Sequence, residues 1–354
     1  MALLGSAPAS LCVLRLSAIG DCCHAIALVQ AIQRQWPHTS ITWVTGKVEA
    51  QLLQLVPNIE VVVFDKNKGL GGYLRLWKTL AGRRFDVLLH MQAALRASIA
   101  SLGIKATYKL GFDRERAKDG QWLFTNRKVT ATGGHVVEGF MGFGQALGIT
   151  ELKPSWTLPI PETDRQWATA YTHQQPLLLI CPGASKAYKN WTAAGYAALA
   201  DYAHSKGMVV MLIGSPAAAE QALAENICQL TANIRENLVG STTLPQLLAL
   251  IAAAQLVVAP DTGPTHMATL VNTPVLGLYA HHNPNRTGPY FCRDYVVSVY
   301  EEALLAETGK TANQLPWRTR VKDPTAMQRI SIEQVIAQFD RITHDFNLLQ
   351  ESSE

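Results

Sequence analysis

The sequence predicts an α/β protein of two domains, each built on a mostly parallel sheet covered by helices on both faces. Short apolar runs alternate with stretches of helical spacing in both halves of the chain. The strand-sized runs, among them residues 11–16 (LCVLRL), 86–90 (DVLLH), 176–181 (PLLLIC) and 256–260 (LVVAP), are almost continuously hydrophobic. Strands buried on both faces read that way. With 354 residues the chain can fill two cores, and three prolines crowded into 153–164 (KPSWTLPIPETD) mark a linker between them.

In the first half, strand 11–16 leads through Ser17-Ala18-Ile19-Gly20-Asp21 into a helix over 23–35 (CHAIALVQAIQRQ). Asp21 at that turn suits an N-cap, the role the pattern alone favours, and also stands at a strand's carboxyl end where a carboxylate can serve as a general base. Strands follow at 40–44 (SITWV), 61–64 and 86–90, each after a helix or turn. The segment 109–132 is basic and aperiodic and reads as loops, and Gly133-Gly134-His135 opens a helix that ends near Gly148. In the second half, strand 176–181 runs into Pro182-Gly183-Ala184-Ser185-Lys186-Ala187-Tyr188-Lys189, a small-residue turn with two lysines that suits a phosphate. Helix 192–205, strand 208–213, helix 217–230, a short strand at Leu238-Val239 and helix 244–253 come next. Residues 300–324 read as irregular, and Ser331 with Gln334 three residues on forms a capping box for a last helix reaching about Leu348.

The stretch 256–270 (LVVAPDTGPTHMATL) organises the second half. Gly263 admits a close ligand, Pro264 suits the start of a helix, and the free N–H groups of that first turn with the helix dipole form an anion site. Such a turn lies beyond a strand's carboxyl end, where α/β sheets bind ligands. Strand 275–279 (VLGLY) ends in Ala280-His281-His282-Asn283, whose histidines suit ligand contact better than a metal, because no Asp, Glu or Cys stands at ligand spacing.

The net charge of +4 hides an uneven distribution. Residues 66–128 hold fourteen Lys and Arg against four Asp and Glu, a local surplus of ten that calls for an anionic partner. No nucleic-acid motif accompanies it, and no apolar run reaches membrane-spanning length. The N-terminus lacks a signal-peptide pattern, so a cytoplasmic chain starting near Met1 is expected. The six cysteines sit inside apolar patterns and read as reduced core thiols, the vicinal Cys22-Cys23 pair included.

Three motifs in order, LRLSAIGD (14–21), PGASKAYKNW (182–191) and APDTGPTHMATLVNTPVLGLY (259–279), together with NRTGPY (285–290), resemble glycosyltransferase family 9, the ADP-heptose:lipopolysaccharide heptosyltransferases. The resemblance implies a GT-B fold of two Rossmann-like domains, an acceptor-binding domain at 1–160, a nucleotide-sugar domain at 165–322 and a helical segment at 323–354 crossing back to the first. It implies an inverting enzyme that moves heptose from ADP-heptose to the Kdo of Kdo-lipid A, at the inner face of the inner membrane, without cofactor or metal. Asp21 matches the family's base. Ser185 and Lys189 match diphosphate contacts, Thr262 and Gly263 the backbone site, and Asp261 and His266 complete that motif near the heptose. Glu220 is the candidate for the donor ribose, and Arg96, Lys105 and Arg127 for the acceptor. The Ala280-His281-His282-Asn283 turn, where the family has a Gly-Pro-Thr-like one, and Cys22-Cys23 after Asp21 depart from the pattern. A related enzyme with another nucleotide-sugar donor or a later-heptose acceptor is one alternative. A dinucleotide-dependent oxidoreductase is another, although SAIGD lacks the G-x-G-x-x-G spacing.

Overall fold

In the computed structural model, residues 3–130, 133–172 and 175–349 are described. They form two compact units, Met1–Pro159 and Ile160–Glu354.

The first unit runs β1 (Ser10–Leu14), α1 (Ile19–Gln35), β2 (Ser40–Gly46), α2 (Lys47–Leu53), β3 (Ile59–Phe64), α3 (Gly69–Thr79), β4 (Phe85–His90), α4 (Leu95–Ser101), β5 (Ala106–Phe112), β6 (Arg127–Val129) and α5 (Val136–Leu147). Its strands pair in parallel in the order β3-β2-β1-β4-β5-β6. Leu11, Cys12, Val13 and Leu14 are fully buried at the centre of that sheet, which is why their stretch carries no polar alternation. Successive crossovers diverge between β1 and β4, where the strand order reverses. The carboxyl ends of those two strands therefore border a crevice.

The second unit repeats the plan with α6 (Glu162–Thr172), β7 (Leu177–Ile180), α7 (Ala193–Ser205), β8 (Val209–Leu212), α8 (Ala218–Leu230), β9 (Glu236–Asn237), α9 (Leu244–Ala253), β10 (Leu256–Pro260), α10 (Gly263–Leu270), β11 (Val275–Tyr279), α11 (Pro284–Thr287), β12 (Val296–Ser298), α12 (Tyr300–Thr308) and α13 (Ile332–Asp345). All strands are again parallel, in the order β12-β11-β10-β7-β8-β9, and the switch point lies between β7 and β10. The α13 helix keeps the expected capping box, with Ser331 Oγ accepting from Gln334 N at 3.2 Å. Within the second unit it packs on α7, β11 and β12, burying Val335, Phe339 and Ile342.

Several elements differ from the sequence expectation. The 109–132 segment, expected as loops, holds the end of β5 and the whole of β6, because an edge strand with exposed Arg127 and Lys128 shows no apolar run. Residues 300–324 include α12, which buries only Tyr300, Ala303 and Leu304 and has Val299 in place of a polar cap. The short strand is Glu236–Asn237, directly before the expected Leu238-Val239. Five cysteines are buried, whereas Cys228 is exposed on α8. Burial pushes the Cys22 and Cys23 thiols far up, so both are packing groups rather than thiolates.

Candidate active site

In the second unit three side chains converge at the carboxyl ends of β7, β10 and β11. The chain leaving β7 turns through Ala187–Lys189, where the Ala184 N–H donates to Asn190 Oδ1 at 2.8 Å and ties the turn closed. Lys189 Nζ then reaches Asp261 Oδ2 at 2.8 Å, with the two side chains only 13% and 16% exposed. His282, beyond β11, donates from Nδ1 to the same Asp261 oxygen. On the other carboxylate oxygen, Asp261 Oδ1 lies 3.7 Å from His266 Nε2. Burial works to raise the Asp261 carboxyl, but hydrogen bonds from His266 and His282 and the Lys189 ammonium outweigh it and hold the group well below the usual carboxylate range. Burial lowers His282, and the Lys189 charge adds to that against the pull of Asp261. His282 is accordingly a neutral imidazole near pH 7, in the tautomer with its proton on Nδ1.

Beside this cluster α10 begins at Gly263, with Thr262 extended at the N-cap and making no side-chain cap. Thr265 turns inward instead, its Oγ1 donating to Pro260 O at 2.7 Å. That leaves the helix start to its own N–H groups and dipole, which favour an anion. Ser185 is exposed on the turn after β7. Glu220 is buried in the first turn of α8, where Oε2 accepts from Ser215 N at 2.8 Å. Gly183 makes room for it, since a Cβ there would stand 2.3 Å from Glu220 Cγ. The neighbouring His281 is tied elsewhere, Nε2 lying 2.8 Å from Tyr188 O and Nδ1 3.0 Å from Val321 O. It braces the Lys189 turn from behind.

In the first unit Asp21 is neither free nor an N-cap. The α1 helix starts at Ile19 and puts Asp21 in its first turn, with Ala18 at the cap position. Arg15, just past β1, binds Asp21 Oδ2 through Nη2 and donates from Nη1 to Met91 O at 2.5 Å. Its guanidinium also stands 5.5 Å from the Phe140 ring centroid. From the end of β4, Gln92 accepts from Leu16 N at 2.7 Å and donates to Ser17 Oγ at 3.2 Å, fixing the same turn. The Asp21 side chain keeps 35% exposure, against 11% for Arg15. A half-exposed carboxylate is thus held at the β1/β4 switch point by a nearly buried cation.

Residues 73–317 match the profile of glycosyltransferase family 9 (heptosyltransferase). The chain belongs to that family. It is 47% identical to the lipopolysaccharide core heptosyltransferase OpsX of Haemophilus influenzae over 344 residues, 97% of this chain and 99% of the relative. The solved glycosyltransferase family 9 structure from Veillonella parvula superposes with a TM-score of 0.77 at 21% identity, covering 95% of this chain and 97% of that one. The Escherichia coli heptosyltransferase WaaC, solved with ADP, gives 0.73 at 18% identity over 94% and 99%. These structures share the fold, GT-B, with its two Rossmann-like parallel-sheet units.

For this heptosyltransferase the site residues expected from sequence divide into those that converge and those that do not. Lys189, Asp261 and His266 form one cluster with the α10 start, Thr262 and Gly263, next to it. Ser185 and Glu220 stand on adjoining strand-end turns. Arg96 is exposed in the first turn of α4, after β4, at the same edge of the sheet as Asp21. Lys105 precedes β5, and Arg127 opens β6 with its guanidinium 5.4 Å from the Tyr108 ring. Lys105 lies at the amino edge of the sheet, away from Asp21, whereas Arg127 is in register with Leu110 near the carboxyl end of β5, its guanidinium folded back over Tyr108. Other members of the basic stretch are spoken for locally: Arg83 binds Glu60 at 2.5 Å, and Arg116 binds Asp113 at 2.8 Å and the Val129 carbonyl. Sequence reasoning did not single out Arg15, although LRLSAIGD contains it. It singled out His282 only as a general ligand contact.

Proposed function

We propose that this heptosyltransferase moves L-glycero-D-manno-heptose from ADP-heptose to the Kdo of the lipopolysaccharide inner core, with inversion, by one in-line displacement. The observation that carries the reading is the Lys189–Asp261–His266 cluster beside the open first turn of α10, a cation and a row of N–H groups where a diphosphate would sit. The relatives, a lipopolysaccharide core heptosyltransferase and an enzyme solved with ADP, support the choice of substrates.

In this mechanism Asp21 is the base. Its carboxylate takes the proton from the acceptor hydroxyl as that oxygen attacks the anomeric carbon. The bond from that carbon to the diphosphate oxygen breaks, and its electron pair leaves on ADP. Lys189, Ser185 and the Gly263 turn after Thr262 meet the growing charge, so no divalent metal or cofactor is required by the chemistry. Glu220 takes the ribose, and Asp261, steadied by His266 and His282, faces the heptose hydroxyls. Arg15 positions Asp21 and leaves its exposed face to the acceptor. Arg96, at the same sheet edge, suits an anionic group of Kdo-lipid A, whose membrane anchor would make the enzyme peripheral to the inner face of the inner membrane. The substitution of His282 for the family's usual turn, and its bond to Asp261, favours as a second reading the same chemistry with a later acceptor or a variant donor.

The test is transfer from ADP-heptose to Kdo-lipid A with EDTA present, run beside Asp21→Ala. Product from the parent alone, with donor binding by calorimetry equal in both, is the expected result. Equal loss of donor affinity in the variant would remove Asp21 from the acceptor side of the reaction. Donor binding without product in the parent would transfer the search to another acceptor.

A further inference from the structure

Helix α3 carries its apolar residues on a wide arc, and only part of that arc is used by the fold. Leu76 is buried and Tyr73 and Trp77 pack beneath it, with Trp77 Nε1 donating to Ala100 O at 3.1 Å. This anchors the helix. Leu70 and Leu74, one turn apart on the flank away from Leu76, are 82% and 63% exposed. Lys78 extends the same stripe another turn, Arg75 stands beside it, and Lys66 and Lys68 precede it, all exposed. The one acidic neighbour in that run, Asp65, uses Oδ1 to accept from Asn67 N at 3.0 Å.

A single exposed Leu means little, but two stacked on a fixed helix that carries or follows four exposed cations are a different matter. We propose that α3 docks the protein on an anionic lipid surface, Leu70 and Leu74 entering the headgroup boundary while Lys66, Lys68, Arg75 and Lys78 lie among the phosphates. Charge selects this occupant. A second copy of the chain presenting the same patch would set four cations against four, whereas an anionic bilayer complements them, and long basic side chains can snorkel beside inserted apolar ones.

A second projection of the same composition reinforces the first. Trp122 and Leu123 are 45% and 77% exposed, with Arg114 stacked 5.8 Å from the Trp122 ring. Gln121 fixes their turn to the end of β4, donating to His90 O at 2.8 Å. The α3 helix follows the carboxyl end of β3. Both projections therefore leave the sheet at the edge that carries Asp21. The inference deepens the transferase reading, because a base that serves a lipid-anchored acceptor must work at a membrane surface.

Sedimentation with phosphatidylcholine vesicles, with and without phosphatidylglycerol, tests the proposal on the full chain. The parent is expected to bind only vesicles containing phosphatidylglycerol, and less so at high salt. Leu70→Ser with Leu74→Ser is expected to weaken binding at least about tenfold, since two leucines leave the interface. Circular dichroism and the melting temperature should match the parent, and heptose transfer to a deacylated, water-soluble acceptor should be retained. Binding of the double variant equal to the parent, or failure of the parent to bind phosphatidylglycerol vesicles, would overturn the docking role. A parent that binds vesicles through these leucines yet transfers heptose to neither acceptor would instead overturn the transferase reading alone.

Discussion

Replacing Lys189 by Met keeps the aliphatic stem and removes the charge that faces Asp261. The pair is 2.8 Å apart and largely buried. Removing one member of a buried pair costs about 3–5 kcal/mol when the survivor is left alone. Asp261 is not left alone, because His266 and His282 still face its two oxygens. A stability loss of about 2 kcal/mol near neutral pH is therefore expected. The loss should depend on pH in a definite direction. In the parent, His282 is lowered by burial first and by the Lys189 charge in addition, so its neutral form contributes stability above its unfolded value and loses it on acidification. Without Lys189 the imidazole can protonate against Asp261, and its folded value rises. A raised group adds stability below its unfolded value and surrenders it as pH climbs. Both effects shrink the gap between parent and variant in acid. Denaturant unfolding at about pH 5.5 and about pH 8, on either side of the ordinary histidine value, reads this directly. Calorimetry should also show donor binding weaker by about 2–4 kcal/mol, the worth of a charge-assisted contact to a diphosphate. An equal stability gap at both pH values would refute the coupling through Asp261, and unchanged donor affinity would take Lys189 out of the donor site.

Arg15→Met removes the group that aims Asp21, and kcat should fall by about tenfold to a hundredfold with the donor KM unchanged. Arg15→Lys should restore little, because an ammonium lacks the planar fork whose two nitrogens reach Asp21 and the Met91 carbonyl separately; steady-state kinetics with full activity in either variant would remove the positioning role. His90, fully buried at the end of β4, is lowered to about 4 by desolvation, so its stabilising contribution is fully present above about 6.5 and declines as pH falls from there towards about 4. The decline amounts to about 3 kcal/mol, and His90→Gln should flatten the parent's stability curve across that window. Unfolding free energies with the same slope in both proteins would count against it.

Much of this protein was written in local pattern. Continuous apolar runs announced central parallel strands, because a strand covered on both faces has no polar side to show. Small residues and prolines marked the strand-end turns, and Ser331 with Gln334 set the start of the last helix, since caps and turns are chosen by neighbours a few residues apart. Lys189, Asp261 and His266 could be named from such turns before any contact was known. What they do to one another could not. Lys189 and Asp261 are separated by 72 positions, and they meet only because β7 and β10 are adjacent across the switch point. His282 joins them because β11 lies next to β10, so its bond to Asp261 follows from strand order and register rather than from its own sequence neighbours. The acceptor candidates show the converse. A surplus of cations in 66–128 says that an anion is near, but charge counted along a chain carries no strand direction. Only the fold separates Arg96, after β4, from Lys105 at the amino end of β5, and turns Arg127, level with Leu110, back over Tyr108. It also commits Arg83 and Arg116 to local carboxylates and leaves Leu70 and Leu74 on the outside of α3, because the inner face of that helix was already filled by Leu76 and Trp77.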